Sequence, residues 1–219
     1  MDPRDAIKEI HDLTGSLIAT GLCVDQNYPS EIIDGAECSV AFGKDVDLSI
    51  VLKNVPYVDV YKALSERRAF NIKMIDGALI QFQYRFSGGD IQGHRLAFFP
   101  SPDLQEYQND PEIYETDDLY ADMIAKNVVT VPVRFDYDPD SFVDYEHPVS
   151  HLTLGQYKNC RIPVSGPVSP FIFLNFILRS FYNTPYRKFS ADMGEGHLEF
   201  GCSISDLEKR HMHIWVSST

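Results

Sequence analysis

The stretch of sequence that decides the fold is VVTVPVRFDYD, residues 128–138, in which apolar and polar side chains alternate. Alternation with a period of two predicts a β-strand with one buried and one polar face. The polar face would carry Arg134, Asp136 and Asp138. Pro132 has no backbone N–H to donate, so we expect this strand at a sheet edge or bulged at the proline.

Other segments predict the remaining strands. Residues 78–86 alternate polar and aromatic side chains, and SGGD at 87–90 is typical of a turn, so we expect a hairpin with 94–99. A second strand pair is predicted from the apolar runs 38–42 and 48–52, which flank a Gly-Lys-Asp turn. Further strands are predicted over 147–155, 196–202 and 212–216.

Apolar residues at helical spacing predict helices over 4–22, 57–70 and 170–182, the last two beginning at or near a proline. A further helix is predicted over 117–126. We therefore expect a single α+β domain over 1–219, in which a largely antiparallel sheet has the helices near 4–22, 57–70 and 170–182 packed on one face.

The composition narrows the class of protein. The chain has 219 residues, is 44% hydrophobic and carries a net charge of −13, which excludes a disordered chain and argues against nucleic-acid binding over the whole surface. The N-terminus has no signal-peptide character, and the longest apolar run spans only 171–178, so we expect a cytoplasmic protein without membrane contact. Residues 103–146 hold 2 basic and 13 acidic residues, a net charge of −11.

The polar residues suggest a common surface. If 128–138 pairs with 147–155, His151 and Thr153 lie beside Asp136 on one polar face. If the last two predicted strands join the same sheet, their polar side chains extend that face. These are His197, Glu199, His211, His213 and Trp215.

Three interpretations of this surface remain open. Histidine and carboxylate side chains could bind a divalent metal, although no tight ligand motif is present. The sequence HLTL at 151–154 is similar to half of the paired His-x-Thr signature of the two-histidine phosphoesterases, but both 197–200 and 213–216 lack the hydroxyl of a second copy. The surface could also be a sheet face with no chemistry of its own.

The chain resembles a known family in RFDYD at 134–138, HPVSHLTLG at 147–155 and CRIP at 160–163, followed by Pro170, Phe171, FIL at 176–178 and FY at 181–182. It resembles the uncharacterised bacterial family called domain of unknown function 2290, whose pattern has a histidine at Thr153. The resemblance implies a bacterial cytoplasmic protein and supplies no catalytic residues. A link to phage defence is an analogy only.

Two functions are expected from different classes. The first is a non-enzymatic interaction or regulatory subunit of a bacterial defence or stress system, which binds a larger protein with a basic surface through Asp117, Asp118 and the acidic segment. The alternative is a nuclease or phosphodiesterase-type hydrolase. There His151 would act as acid or base, Arg134 or Arg161 would bind phosphate, and Asp136 or Asp138 would orient the histidine or a metal. No cofactor is expected, and a divalent metal is left open.

Overall fold

The computed structural model describes residues 2–43, 55–102, 131–144, 146–157 and 159–216. The strands are β1 (Cys23–Gln26), β2 (Ser30–Asp34), β3 (Glu37–Ala41), β4 (Ile72–Met74), β5 (Leu79–Ser87), β6 (Asp90–Phe99), β7 (Val133–Tyr137), β8 (Ser150–Leu154) and β9 (Ile162–Pro163). The helices are α1 (Pro3–Ala19), α2 (Tyr57–Glu66), α3 (Pro170–Phe181) and α4 (Asn183–Phe189). Three 3-10 turns lie at Pro139–Ser141, Ser190–Asp192 and Glu208–Arg210.

The nine strands of these ranges form one sheet, in the order β1-β4-β5-β6-β7-β8-β9, with β3 also paired to β5 and β2 to β3. All these pairs are antiparallel. The long β5–β6 hairpin was predicted, and Gly88 and Gly89 turn it with positive φ angles of 60° and 88°. Two consecutive residues with positive φ suit the right-handed twist of a hairpin, which explains the glycines. The expected α+β class with a largely antiparallel sheet is confirmed.

The main core lies between one face of the sheet and helices α1 and α3. The predicted aromatic face of β5 supplies Phe82, Tyr84 and Phe86, which are buried together with Ile10 of α1 and Phe173 of α3. Both helices start with a proline after a capping side chain, since Asp2 accepts a hydrogen bond from the amide of Arg4 and Ser169 from that of Ile172. These two helices share one face of the sheet, whereas α2, which was expected on the same face, packs on the opposite one.

Helix α2 packs against the β5–β6 hairpin, on the residues that alternate with those of the main core. Its Val60 and Leu64 are buried with Leu79, Ala97 and Phe99 in a second, smaller core. Because neighbouring residues of a strand point to opposite faces, this core lies on the face turned away from α1 and α3. Helix α2 thus covers one end of that face, and polar residues occupy its continuation along β5 to β8.

The predicted pairing of the strand at 128–138 with the strand at 147–155 is confirmed as β7–β8. Contrary to the edge position expected from Pro132, β7 is an interior strand between β6 and β8. The strand begins at Val133, so the proline stands just before the ladder and removes no hydrogen bond from it.

The strands predicted over 196–202 and 212–216 are wrong. Neither segment has regular secondary structure beyond one parallel bridge between Ile214 and Val164. The amides of His197 and Leu198 instead donate to the buried carboxylate of Glu9, so they are not available to a strand partner. Leu198 still packs into the main core, whereas Met212 is 86% exposed. Alternation alone does not distinguish an extended chain from a strand.

Some predictions lie outside the described residues. They are the turn after Gly43 with the strand at 48–52, the helix at 117–126, and the acidic residues Asp117 and Asp118. Among the helices that the structure describes, none has the length and apolar character required to cross a bilayer.

Candidate functional site

Four neighbouring side chains form a row across the sheet. They lie on the face turned away from α1 and α3, beyond the end that α2 covers. Gln83 of β5 pairs with Arg95 of β6, Arg95 pairs with Asp136 of β7, and Asp136 pairs with His151 of β8. In-register antiparallel neighbours lie side by side on the same face. The sheet register therefore brings together residues from four strands that are up to 68 positions apart in sequence, as the numbering from 83 to 151 gives.

A pocket of about 300 Å³ opens over this row. The five residues predicted as a candidate site, Arg134, Asp136, Asp138, His151 and Arg161, all line it. The other lining residues are Gln83, Arg85, Gly93, His94, Arg95, Tyr137 and His147. Four arginines and two aspartates give the lining a formal charge of +2 with neutral histidines, whereas the whole chain carries −13. A positive pocket in an acidic protein attracts anions.

Asp136 is the electrostatic centre of the pocket. Its side chain is 8% exposed, its Oδ1 accepts a hydrogen bond from Arg95 Nε at 3.0 Å, and its Oδ2 accepts one from Arg134 Nε. Burial alone would raise the pKa of this carboxyl, but the charges of Arg134 and Arg95 outweigh that effect and hold the pKa below its usual range. Asp136 is therefore ionised and fixed between two guanidinium groups.

His151 is buried beside that carboxylate. Its Nδ1 lies 2.9 Å from the carbonyl oxygen of Pro148, which can only accept, so Nδ1 carries the hydrogen in the neutral ring. Its Nε2 lies 3.8 Å from Asp136 Oδ2. Burial lowers the pKa of His151, and the charge of Asp136 only partly opposes this. His151 thus presents a basic nitrogen on the side of Asp136.

His147 and Arg161 also line the pocket, and His147 lies next to His151. The rings of His147 and His151 meet edge to face with centroids 4.7 Å apart. Burial lowers the pKa of His147, and the charge of Arg161 lowers it further. Within the described ranges, His147 Nδ1 is shielded from solvent and has no hydrogen-bond partner. Arg161 Nη1 makes a long contact of 3.4 Å with the carbonyl oxygen of Glu146.

Sequence reasoning missed Arg85 and Arg95 as members of the site. Arg85 lies across Gly93 on the neighbouring strand, and a Cβ built on that glycine would stand 2.8 Å from Arg85 Nη2. The absence of a side chain at Gly93 therefore makes room for the guanidinium. Alternation along β5 did place Arg85 on the polar face. The alternation pattern could not predict the β6–β7 pairing, which brings Arg95 beside Asp136, because 33 residues separate Phe99 from Val133.

The structure does not bring the predicted C-terminal residues to this surface. His197, Glu199, His211, His213 and Trp215 are absent from the pocket lining, because their segments are not strands of the sheet. His213 instead has its Nδ1 2.9 Å from the carbonyl oxygen of His211. Of the histidines predicted for the polar face, only His151 lines the pocket, and His147 lies beside it.

The pocket contains few side chains that a metal ion could use as ligands. In the part of the chain that the structure describes, no group of three or more histidine, cysteine, aspartate or glutamate side chains is arranged to hold a metal ion. Asp136 already accepts from two arginines, whereas Nε2 of His151, Nδ1 of His147 and the carboxylate of Asp138 are pocket donors that a metal could still use.

Comparison with known proteins gives one match. Residues 22–216 match the sequence model of a family described as "Uncharacterized conserved protein (DUF2290)". The match spans β1 to the end of the described chain and includes every residue that lines the pocket. No curated protein and no solved structure matches the chain significantly.

Proposed function

The chain belongs to the DUF2290 family of uncharacterized conserved proteins, and we propose that its pocket binds a phosphate group of a nucleotide or nucleic acid and hydrolyses the phosphodiester bond. The observation that carries this proposal is the set of four arginines gathered around His151 and Asp136. Arginine is the side chain best suited to hold phosphate, because its planar guanidinium offers several donors at once. These features support the proposal of a nuclease or phosphodiesterase-type hydrolase.

The ion pairs leave donors for a ligand. Arg95 and Arg134 use their Nε atoms on Asp136, and among the described residues no hydrogen bond engages their Nη atoms. Arg85 makes no ion pair within the same ranges and lies on the rim beside Gly93. A phosphate in the pocket would therefore receive charge-assisted hydrogen bonds from guanidinium groups that Asp136 holds in place.

The chemistry would use His151 as the base. Its Nε2 takes a proton from a water molecule, the water oxygen attacks phosphorus, and the bond from phosphorus to the leaving oxygen breaks. The leaving oxygen takes a proton from solvent, and His151 returns its own proton to solvent. The charge of Asp136, 3.8 Å away, stabilises the imidazolium that forms between these steps. The arginines stabilise the charge on the phosphoryl oxygens.

The test is an activity assay with matched variants. Purified protein is incubated with single-stranded oligonucleotides and cyclic nucleotides, with and without Mg²⁺ or Mn²⁺, and products are separated by chromatography. Loss of a general base costs about 100-fold or more, so His151→Ala should lose most of the activity. His213→Ala removes a histidine outside the pocket and should keep it. Absence of cleavage under all conditions, or equal activity of both variants, would refute the hydrolase proposal.

A second candidate function rests on charge. The net charge of −11 over residues 103–146 supports binding to a larger basic protein. By analogy, we propose an interaction or regulatory subunit of a bacterial defence or stress system in the cytoplasm. Asp117→Lys with Asp118→Lys should weaken partner capture in a salt-dependent manner. The control reverses two exposed acids of the β2–β3 hairpin, Asp34 and Glu37. Equal capture by both double variants would reject this candidate.

A further inference from the structure

A second groove lies beside the phosphate pocket. It has a volume of about 400 Å³ and shares Arg161 with the pocket. Its apolar wall is formed by Pro148, Ile162, Pro163 and Met212. Its polar lining consists of Arg161, Glu208 and His211. The groove is therefore a mainly apolar space that continues from a cationic pocket, with a guanidinium at the junction.

The two spaces are joined through the backbone as well. Pro148, which lines the groove, accepts a hydrogen bond from His151 Nδ1, and His151 lines the pocket. The pocket and the groove are therefore adjacent, and a ligand that binds its phosphate in the pocket and extends past Arg161 would enter the groove. The part of that ligand next to the phosphate must be flat or apolar enough to lie against two prolines, an isoleucine and a methionine.

Glu208 is the unusual residue of this groove. It forms a capping box with Ser205, in which the Ser205 amide donates to Glu208 Oε2 at 2.7 Å and the Glu208 amide donates to Ser205 Oγ at 3.1 Å. The capping box gives a hydrogen-bond donor to Oε2 only. The residue is 3% exposed, and within the described residues its Oε1 has no hydrogen-bond partner. A buried acceptor without a donor is costly, and a ligand that supplies an N–H removes the cost.

We propose that this groove is a nucleobase subsite, in which Glu208 Oε1 accepts a hydrogen bond from the exocyclic amino group of the base. The proposal rests on the phosphate-binding role of the neighbouring pocket. A base offers a flat apolar ring for the wall of Pro148, Ile162 and Pro163, and its edge carries the donor that Glu208 lacks. Acidic side chains accept from the amino group of cytosine in just this way, whereas uracil presents a carbonyl oxygen at the same ring position.

The test compares ligands that differ by one group. Dissociation constants are measured by isothermal titration calorimetry for CMP, UMP and ribose 5-phosphate with the full chain. We expect CMP to bind about tenfold more tightly than UMP, because one good base contact discriminates by roughly that factor. Ribose 5-phosphate, which has no base, should bind more weakly than CMP and should report the phosphate pocket alone.

Glu208→Gln is the decisive variant, because glutamine can keep the capping box through its amide oxygen and then has an N–H₂ group in place of the acceptor Oε1. The preference for CMP over UMP should disappear or reverse. Asp206→Asn is the matched control, since it removes the same charge from an exposed side chain two residues away that pairs with Lys209. It should leave the preference unchanged.

The outcomes separate the two proposals. If ribose 5-phosphate binds as tightly as CMP and binding is lost in Arg95→Ala, the phosphate pocket stands and the nucleobase subsite is wrong. If CMP and UMP bind equally, or if Glu208→Gln keeps the preference for CMP, the role of Glu208 is wrong. If none of the three ligands binds, both the phosphate pocket and the subsite are refuted.

Discussion

The Oδ2 atom of Asp136 lies 3.8 Å from the Nε2 atom of His151, across the β7–β8 pair. The carboxylate is held by Arg95 and Arg134, and the imidazole by the carbonyl oxygen of Pro148. The carboxylate and the imidazole are therefore each fixed by hydrogen bonds to other groups. This arrangement lets the histidine gain a proton next to a negative charge without any rearrangement of the chain.

The ion pairs of Asp136 should stabilise the fold. Asp136→Asn leaves Arg95 and Arg134 partly buried without their carboxylate, so we expect the free energy of unfolding in urea to fall by on the order of 3 kcal/mol. Asp138→Asn is the control, because Asp138 lines the same pocket and makes no ion pair within the described ranges. If both variants lose the same stability, the buried ion pairs do not have this role.

The titration of His151 should be displaced to low pH. Burial lowers the pKa of His151 below the ordinary 6.5. The ring is therefore neutral at pH 7 and becomes half protonated only at a pH below 6.5. The charge of Asp136 raises the pKa, so Asp136→Asn should move the midpoint further down. Chemical-shift titration of the His151 Cε1–H signal measures both values. A midpoint at or above 6.5, or an upward shift in the variant, would contradict the structure.

His94 should make the fold sensitive to acid. Its Nε2 accepts the amide of Val168 at 2.9 Å, and burial lowers its pKa to about 4 from 6.5. Because the folded pKa lies below the unfolded one, the unfolded chain binds more protons between these values. Stability is therefore fully present above pH 6.5 and falls as the pH drops towards 4, by on the order of 3 kcal/mol.

His94→Gln tests this origin of the acid sensitivity, since the glutamine oxygen can still accept the Val168 amide. The variant should show a shallower decline of unfolding free energy between pH 6.5 and pH 4 than the parent protein. His147 and His151 also have lowered pKa values, so part of the decline should remain. An unchanged slope would show that His94 is not the main titrating group.

Glu9 should act as a link between α1 and the C-terminal segment. Its carboxylate accepts the amides of Phe171 at 2.8 Å, His197 at 3.0 Å and Leu198 at 3.2 Å. Glu9→Ala leaves these donors without an acceptor, so we expect a loss of about 3 kcal/mol in unfolding free energy. Asp12→Ala on the exposed side of the same helix should cost far less. Similar losses in thermal or urea unfolding would reject the link.

Local patterns were enough to predict most elements. The helix of residues 170–182 forms as α3 because its apolar residues repeat at helical spacing after Ser169 and Pro170. The β5–β6 hairpin forms where two alternating runs flank a pair of glycines. The segments near His197 and His213 have the same alternation and form no strands, because their backbone groups are satisfied elsewhere.

By itself the sequence determined the α+β class, the strand pair β7–β8 and the shared face of Asp136 and His151, since these depend on periodicity and on neighbours along the chain. Only the tertiary structure decided that Arg85 and Arg95 complete the pocket and that Glu208 lies in the groove beside it. The physical reason is that alternation tells which side of its own strand a residue faces. Which strands and loops become neighbours depends on packing between distant segments.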